Sequence, residues 1–204
     1  MLADIKRLEA SLEIFKREFM PYYKSLDMQV VETNRYVAIR RENRRAFSLE
    51  YSKLLQATCS EIDVFAKAVC DLANPNTKLN DLNISKWGFM LQKEFPQIEE
   101  CSVSLVGYSD IRPWANWSYE SFEDKRGRIR LRLRRGKTTP SWWKAYTNVK
   151  HARTTLQPGS SSNFIDACQG NVIDALAALF LLERLYLNEL GKAELLRSQL
   201  FQAD

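Results

Sequence analysis

Histidine is almost absent from the sequence, which has one, and its four cysteines form no CxxC pair. Zinc-finger spacing is therefore missing, and buried free thiols in a reducing cytosol are the expected state of Cys59, Cys70, Cys101 and Cys168. The chain also lacks a glycine-rich phosphate-binding loop, a GxGxxG turn and a GxSxG motif. We expect neither a metal ion nor a cofactor.

Long apolar runs are missing as well. The longest, at residues 175–182, is too short to span a bilayer. The start of the chain is charged throughout and has no apolar segment of a secretory signal. With 45% hydrophobic residues among 204, the chain can still bury a sizeable core. We expect a single cytoplasmic domain over residues 1–204 that does not associate with a membrane.

Acidic residues are absent from residues 125–153, where eleven of the 30 lysines and arginines lie. The remaining residues contain 19 basic and 25 acidic side chains, so the net charge of +5 comes from this one segment. A patch of one sign on an otherwise acidic chain favours a polyanionic partner. Nucleic acid is the commonest such partner, and we expect RNA or another polyanion.

Apolar residues recur at helical spacing along much of the chain, which predicts a mainly α fold, a helical bundle. Pro21 is expected to kink or end the first helix. The last helix is apolar on every side around residues 175–182, so it is expected to be central, and Gly170 within it suits a close helix approach. The predicted helices cover residues 2–26, 47–73, 84–94, 140–153 and 164–190.

A β-containing insertion is predicted at residues 99–138. Residues 101–109 alternate like a strand, and so does the sequence RIRLRLR at residues 128–134. As a strand, the second segment exposes one row of guanidinium groups with no acid expected nearby, which favours contact with phosphates over a charged edge strand. The row consists of Arg128, Arg130, Arg132 and Arg134.

The segment SWWKAYTNVKHAR at residues 141–153 holds the histidine, His151. RNA cleavage without a metal ion needs a base, an acid and cations on the phosphate, and histidine titrates near neutral pH. The alternative is a structural histidine, hydrogen-bonded within a helix interface. On the predicted helix, Lys144, Thr147 or Asn148, and His151 share one side. The candidate catalytic residues are His151, Lys144, Asn148 and Arg153, supported by Tyr146 and Thr147, with Lys150 as a further phosphate contact.

Three candidates lie outside this segment. Trp114 and Trp117 occur beside Arg112 in an aromatic loop, where stacking on a nucleic-acid base is the functional interpretation and core packing is the alternative. Glu61, in the second predicted helix, is expected either to pair with Lys150, Arg153 or His151 across the bundle, or to be a plain surface carboxylate.

Two linked motifs, WWKAYTNVKHAR at residues 142–153 and NFIDACQGNVIDALAALF at residues 163–180, resemble a bacterial protein group associated with the HEPN superfamily. Residues 48–67 and the RPWANW motif at residues 112–117 are similar to that group as well. The resemblance implies a helical bundle, often a homodimer. Many members of that superfamily are metal-independent ribonucleases of toxin–antitoxin or antiphage systems, and others only bind nucleotides or partners. Lys144 is the one basic residue where the ribonuclease signature of that superfamily has arginine.

Three functional hypotheses follow. The first is a HEPN-like protein that binds RNA and cleaves it as a dimer, with an antitoxin or defence-system protein as a further partner. The second is a non-catalytic helical interaction module whose basic strand docks on an acidic partner or on nucleic acid. The third, binding of duplex DNA, ranks last because the sequence has no recognisable helix-turn-helix.

Overall fold

The computed structural model describes residues 9–73, 82–156 and 161–203. The predicted mainly α fold with a small β-containing insertion is confirmed. The α-helices are α1 (Met20–Thr33), α2 (Leu49–Ala73), α3 (Ile84–Glu94), α4 (Ser141–Ala152) and α5 (Gln169–Glu189), and the strands are β1 (Val103–Ser104), β2 (Tyr119–Glu123), β3 (Ile129–Leu133) and β4 (Gln202–Ala203).

Helix α5 forms the centre of the bundle. It packs against α1, α2 and α4, and 15 of its 21 residues are buried. The reason is in its sequence, because ALAALFLL at residues 175–182 offers no polar side to solvent. The predicted central position of this helix is therefore confirmed.

The start of α5 differs from the prediction of a continuous helix from residue 164. Asn163–Asp166 form a 3₁₀-helix, and α5 begins only at Gln169. The first N–H groups of α5 donate to carbonyl groups of the segment that precedes α2: Gln169 donates to Ala46 at 2.8 Å and Gly170 to Arg44 at 2.9 Å. A Cβ on Gly170 would lie 3.1 Å from the Arg44 carbonyl oxygen, so this glycine accommodates a chain segment and not a second helix.

The N-terminal helix continues past its predicted end at residue 26. Residues 9–14 are helical, a π-helical turn follows at Phe15–Phe19, and α1 extends to Thr33. Pro21 lies in the first turn of α1. Proline has no N–H and displaces the carbonyl four residues earlier, and a wider π turn just before it accommodates both effects. Residues 2–8 of the predicted helix lie outside the described residues.

Strands β2 and β3 form an antiparallel hairpin that packs on α3. The strand predicted at residues 128–134 is therefore confirmed as β3. The strand predicted at residues 101–109 shortens to β1, which pairs with β4. After α5, the helical part of residues 193–201 is the 3₁₀-helix Ala193–Leu195.

Candidate functional site

Helix α4 is held by one apolar stripe. Its buried residues, Trp142, Ala145, Tyr146 and Val149, follow three- and four-residue steps and face α2 and α5. Pro140 comes immediately before the helix and has an extended conformation. The backbone N–H that proline lacks is therefore not needed for a hydrogen bond within the helix. Because the stripe takes up one side, the polar residues of the motif lie on the side that faces solvent.

His151 lies on this outer side and is exposed, as are Lys144 and Arg153. Within the described ranges, none of these three side chains makes a hydrogen bond or an ion pair. A histidine hydrogen-bonded inside a helix interface, the structural alternative, is therefore wrong. The imidazole and two cations lie open to a ligand on one side of α4 and just beyond its end.

Two other candidates of the motif already have partners. The side-chain amide of Asn148 donates to Asp166, with 2.8 Å between Nδ2 and Oδ2. The hydroxyl of Thr147 donates to the carbonyl of Trp143 at 3.0 Å, a bond within the helix. The Asn148 bond therefore ties the end of α4 to the segment before α5, the Thr147 bond stays within the helix, and neither side chain hydrogen-bonds to His151.

Lys150 and Tyr146 form a pair of their own. The ammonium of Lys150 donates to the Tyr146 hydroxyl at 2.9 Å and lies 5.1 Å from the centre of its ring. This hydrogen bond raises the pKa of Lys150. Tyr146 is only 8% exposed, so its ring supports the helix, while the charge of Lys150 stays at the surface.

Glu61 lies inside the bundle on α2, and it forms no ion pair in the described part of the chain. The predicted pairing with Lys150, Arg153 or His151 is therefore wrong. Burial raises the pKa of Glu61 to about 7. Its charged neighbour is Glu183 of α5, so two carboxyl groups meet where a cation was expected.

The arginine row of β3 lies at the surface, but acidic residues of β2 and the turn neutralise much of it. Arg132 pairs with Glu120 at 2.7 Å. Arg128 and Arg130 both pair with Asp124, at 3.0 and 3.3 Å. The expectation of no acid near the row is therefore wrong, because the antiparallel register places β2 beside it.

Arg134 ends the row differently. Its Nε donates to the Tyr119 carbonyl at 3.2 Å, so part of this guanidinium serves the hairpin itself. The side chains of Arg128, Arg130 and Arg132 are still 53%, 51% and 61% exposed, which leaves N–H groups of each open to solvent. The row is thus a partly neutralised cationic surface.

Trp114 and Trp117 lie in the core with 0% exposure, so stacking on a nucleic-acid base is wrong for both. The indole N–H of Trp114 donates to the Ala178 carbonyl of α5 at 3.1 Å. Trp117 packs on Trp87 of α3 with ring centres 5.5 Å apart. The aromatic loop therefore anchors the β insertion to the bundle.

The two cationic surfaces pack on different helices of the bundle, since the hairpin packs on α3 whereas α4 packs on α2 and α5.

No protein-family model matches the chain, and comparisons with curated proteins and with solved structures gave no match. The HEPN resemblance therefore stays a prediction. Among the described residues, no group of three or more His, Cys, Asp or Glu side chains could hold a metal ion. No helix there combines the length and apolar character needed to cross a membrane.

Proposed function

We propose that the protein binds RNA through the cationic face of α4, by which we mean Lys144 and His151 on the outer side of the helix together with Arg153 just beyond its last residue. The observation that carries this proposal is that His151 is exposed together with two cations, and that none of the three is engaged by another described residue. Unpaired cations attract phosphate more effectively than cations that already have a carboxylate partner.

The same face supplies part of the chemistry of RNA cleavage. The 2′-hydroxyl attacks the neighbouring phosphorus, a base takes its proton, and an acid protonates the departing 5′-oxygen. His151 serves as one of these two groups, and Lys144 and Arg153 offset the charge that develops on the phosphate. One chain has one histidine, so a second copy in a symmetric homodimer would bring the other. We therefore propose a metal-independent, HEPN-like ribonuclease of a bacterial defence or toxin–antitoxin system.

The arginine row of the hairpin is the second RNA contact in this proposal. The side chains of Arg128, Arg130 and Arg132 are more than half exposed, although Glu120 and Asp124 reduce their effective charge. We expect the row to add affinity without sequence preference, because contacts to phosphates carry little sequence information.

The test uses labelled single-stranded RNA and the full-length protein in a buffer that contains a metal chelator. Wild-type protein should cleave the RNA, and His151→Ala should lower the rate by about 10²- to 10⁴-fold, as expected for a lost acid or base. Lys144→Ala should weaken binding, and Lys24→Ala is its matched control, since Lys24 is an exposed helical lysine of α1. Melting temperatures should not change, because the substituted side chains are exposed.

Cleavage that survives His151→Ala would remove the catalytic proposal. RNA binding without any cleavage would instead support the non-catalytic interaction module. That second candidate is favoured by the bond from Asn148 to Asp166, which occupies one of the candidate catalytic side chains. Equal affinity and equal salt dependence with duplex DNA would argue against RNA as the preferred polyanion.

A further inference from the structure

A polar cavity of about 340 Å³ lies beside the first turn of α4, on the side of the bundle where the aromatic loop joins it. The volume falls within the range of small-molecule sites in proteins. Three segments that stand out in the sequence meet here: the basic cluster at residues 41–45, the RPWANW motif and the start of α4. The RNA-binding proposal uses none of the residues that line the cavity, which include Arg44, Asp110, Arg112, Asn116, Ser141 and Asp174.

Arg44 is fixed in the cavity wall by its neighbours. Its Nη2 donates to Oδ2 of Asp174 at 2.7 Å, and its guanidinium lies 5.5 Å from the ring centre of Tyr108. The carbonyl of the same residue accepts the bond from Gly170. The side chain is still 35% exposed, so it presents its other N–H groups in a fixed direction. Asp174 cancels its charge.

Two further charged side chains line the cavity, and each lacks a charged partner among the described residues. They are Arg112 and Asp110, which are both exposed and do not pair with each other. The lining therefore has one available cation, one available carboxylate and a net charge of zero. A polyanion would find no excess of positive charge here, whereas a ligand with one charge of each sign would match both groups.

The remaining lining favours a polar, uncharged ligand body. Asn116 adopts a left-handed conformation with φ of 58°, and Ser141 begins α4, whose first turn has no side-chain cap. Backbone and amide groups of this kind form hydrogen bonds with hydroxyl and amide groups and carry no net charge. The space is ample for an amino acid, which is smaller than a typical drug-sized ligand.

We propose that this cavity binds a free amino acid with an uncharged polar side chain. In this arrangement the carboxylate of the ligand lies at Arg112 and Arg44, its ammonium group pairs with Asp110, and its side chain contacts Asn116 and Ser141. This site is separate from the cationic face of α4 and does not depend on RNA binding.

The experiment is calorimetric titration of the full-length protein with three matched compounds. L-glutamine carries all three groups, glutaramate lacks the ammonium group, and 4-aminobutanamide lacks the carboxylate. Glutamine should bind at least tenfold more tightly than either analogue, because each analogue leaves one charged side chain of the cavity unpaired. Undetectable binding of glutamine, or equal binding of all three compounds, would overturn the proposal. Inorganic phosphate that binds more tightly than glutamine would overturn it as well.

Two variants test which cavity side chain contacts the carboxylate of the ligand and which contacts its ammonium group. Arg112→Gln should abolish the preference for glutamine over 4-aminobutanamide, and Asp110→Asn should abolish the preference over glutaramate. Arg126→Gln is the matched control, since Arg126 is exposed in the hairpin turn and does not line the cavity. Both cavity residues are exposed, so the variants should fold, which melting curves check. Unchanged preferences in both folded variants would refute the assignment.

Discussion

Asn148 of α4 donates a hydrogen bond to Asp166, the last residue of the 3₁₀-helix that precedes α5, with 2.8 Å between Nδ2 and Oδ2. The bond joins the two ends of the connection between the two helices. Asn148→Ala should therefore lower the free energy of unfolding by about 1 to 2 kcal/mol, because a hydrogen bond to a charged group contributes roughly 1.5 to 3 kcal/mol and partial exposure reduces this value. Urea denaturation monitored by circular dichroism measures this loss.

Thr147→Ala is the control for Asn148→Ala. The Thr147 hydroxyl bonds only to the carbonyl of the preceding turn, which contributes little, and alanine is the better helix former by roughly 0.5 kcal/mol. Stability should therefore stay the same or rise. An equal loss in the two variants would show that the Asn148–Asp166 bond has no special role.

Gly88 of α3 faces the ring of Trp117, and a Cβ added there would overlap the ring and lie 3.0 Å from Cε2 of Tyr119. Alanine in place of glycine within a helix stabilises by about 1 kcal/mol, whereas overpacking a core costs about 1 to 3 kcal/mol. Trp117 is fully buried and cannot move aside freely, so the overlap should dominate. Gly88→Ala should lower the melting temperature.

A double-mutant cycle separates this overlap from a general effect on α3. Trp117→Phe replaces the indole with a smaller ring, so Gly88→Ala should cost less in that background than in the wild type. Thermal melts of the four proteins give the coupling energy. Purely additive losses would mean that the indole ring is not what excludes a Cβ at this position.

Glu183 of α5 is fully buried, and neither of its carboxyl oxygens has a hydrogen-bond partner within the described chain. Burial, and then the nearby Glu61, raise the pKa of Glu183 well above its usual value. Burial raises the pKa of Glu61 from 4.5 to about 7. The folded state therefore favours the neutral form of both groups. Their contribution to stability should be fully present below about pH 4.5 and should be lost as the pH rises through 7.

Glu183→Gln should reduce this decline, because it removes one of the two ionisable groups. At 1.4 kcal/mol per pKa unit, the contribution of Glu61 alone is on the order of 3 kcal/mol. Chemical denaturation at about pH 5 and about pH 9 measures the change, with Glu189→Gln on the exposed end of the same helix as the control. A wild-type protein that is equally stable at both values would contradict the interpretation.

Local patterns were sufficient to predict the elements that periodicity defines. The helix predicted at residues 84–94 matches α3, and the stripe of Trp142, Ala145 and Val149 places Lys144 and His151 on the outer side of α4. In both elements a buried face selects the conformation. The beginning of α5 was not predictable in this way, because its first N–H groups depend on carbonyl groups more than 100 positions earlier in the chain.

Pairing across the hairpin explains why the prediction of an arginine row without nearby acidic residues was wrong. The segment without acidic residues begins at residue 125 and so leaves out Glu120 and Asp124, although the register places Glu120 opposite Arg132. The turn residues that follow Asp124 were a signal from which this hairpin could have been predicted. The prediction that Trp114 stacks on a nucleic-acid base was wrong for another reason. An aromatic residue beside an arginine gives the same sequence pattern in a core as in a binding surface.

Glu120→Gln tests whether the arginine row contacts RNA, because it releases Arg132 from its carboxylate partner. Glu123→Gln is the matched control: it removes the same charge from the same strand, but Glu123 lies opposite Ile129 on the other face of the hairpin. Glu120→Gln should raise the affinity for RNA and increase the slope of log K against log salt by about one, the effect of one additional phosphate contact. Fluorescence anisotropy at several salt concentrations measures both. Equal changes in the two variants would mean that only net charge matters and that Arg132 does not contact the RNA.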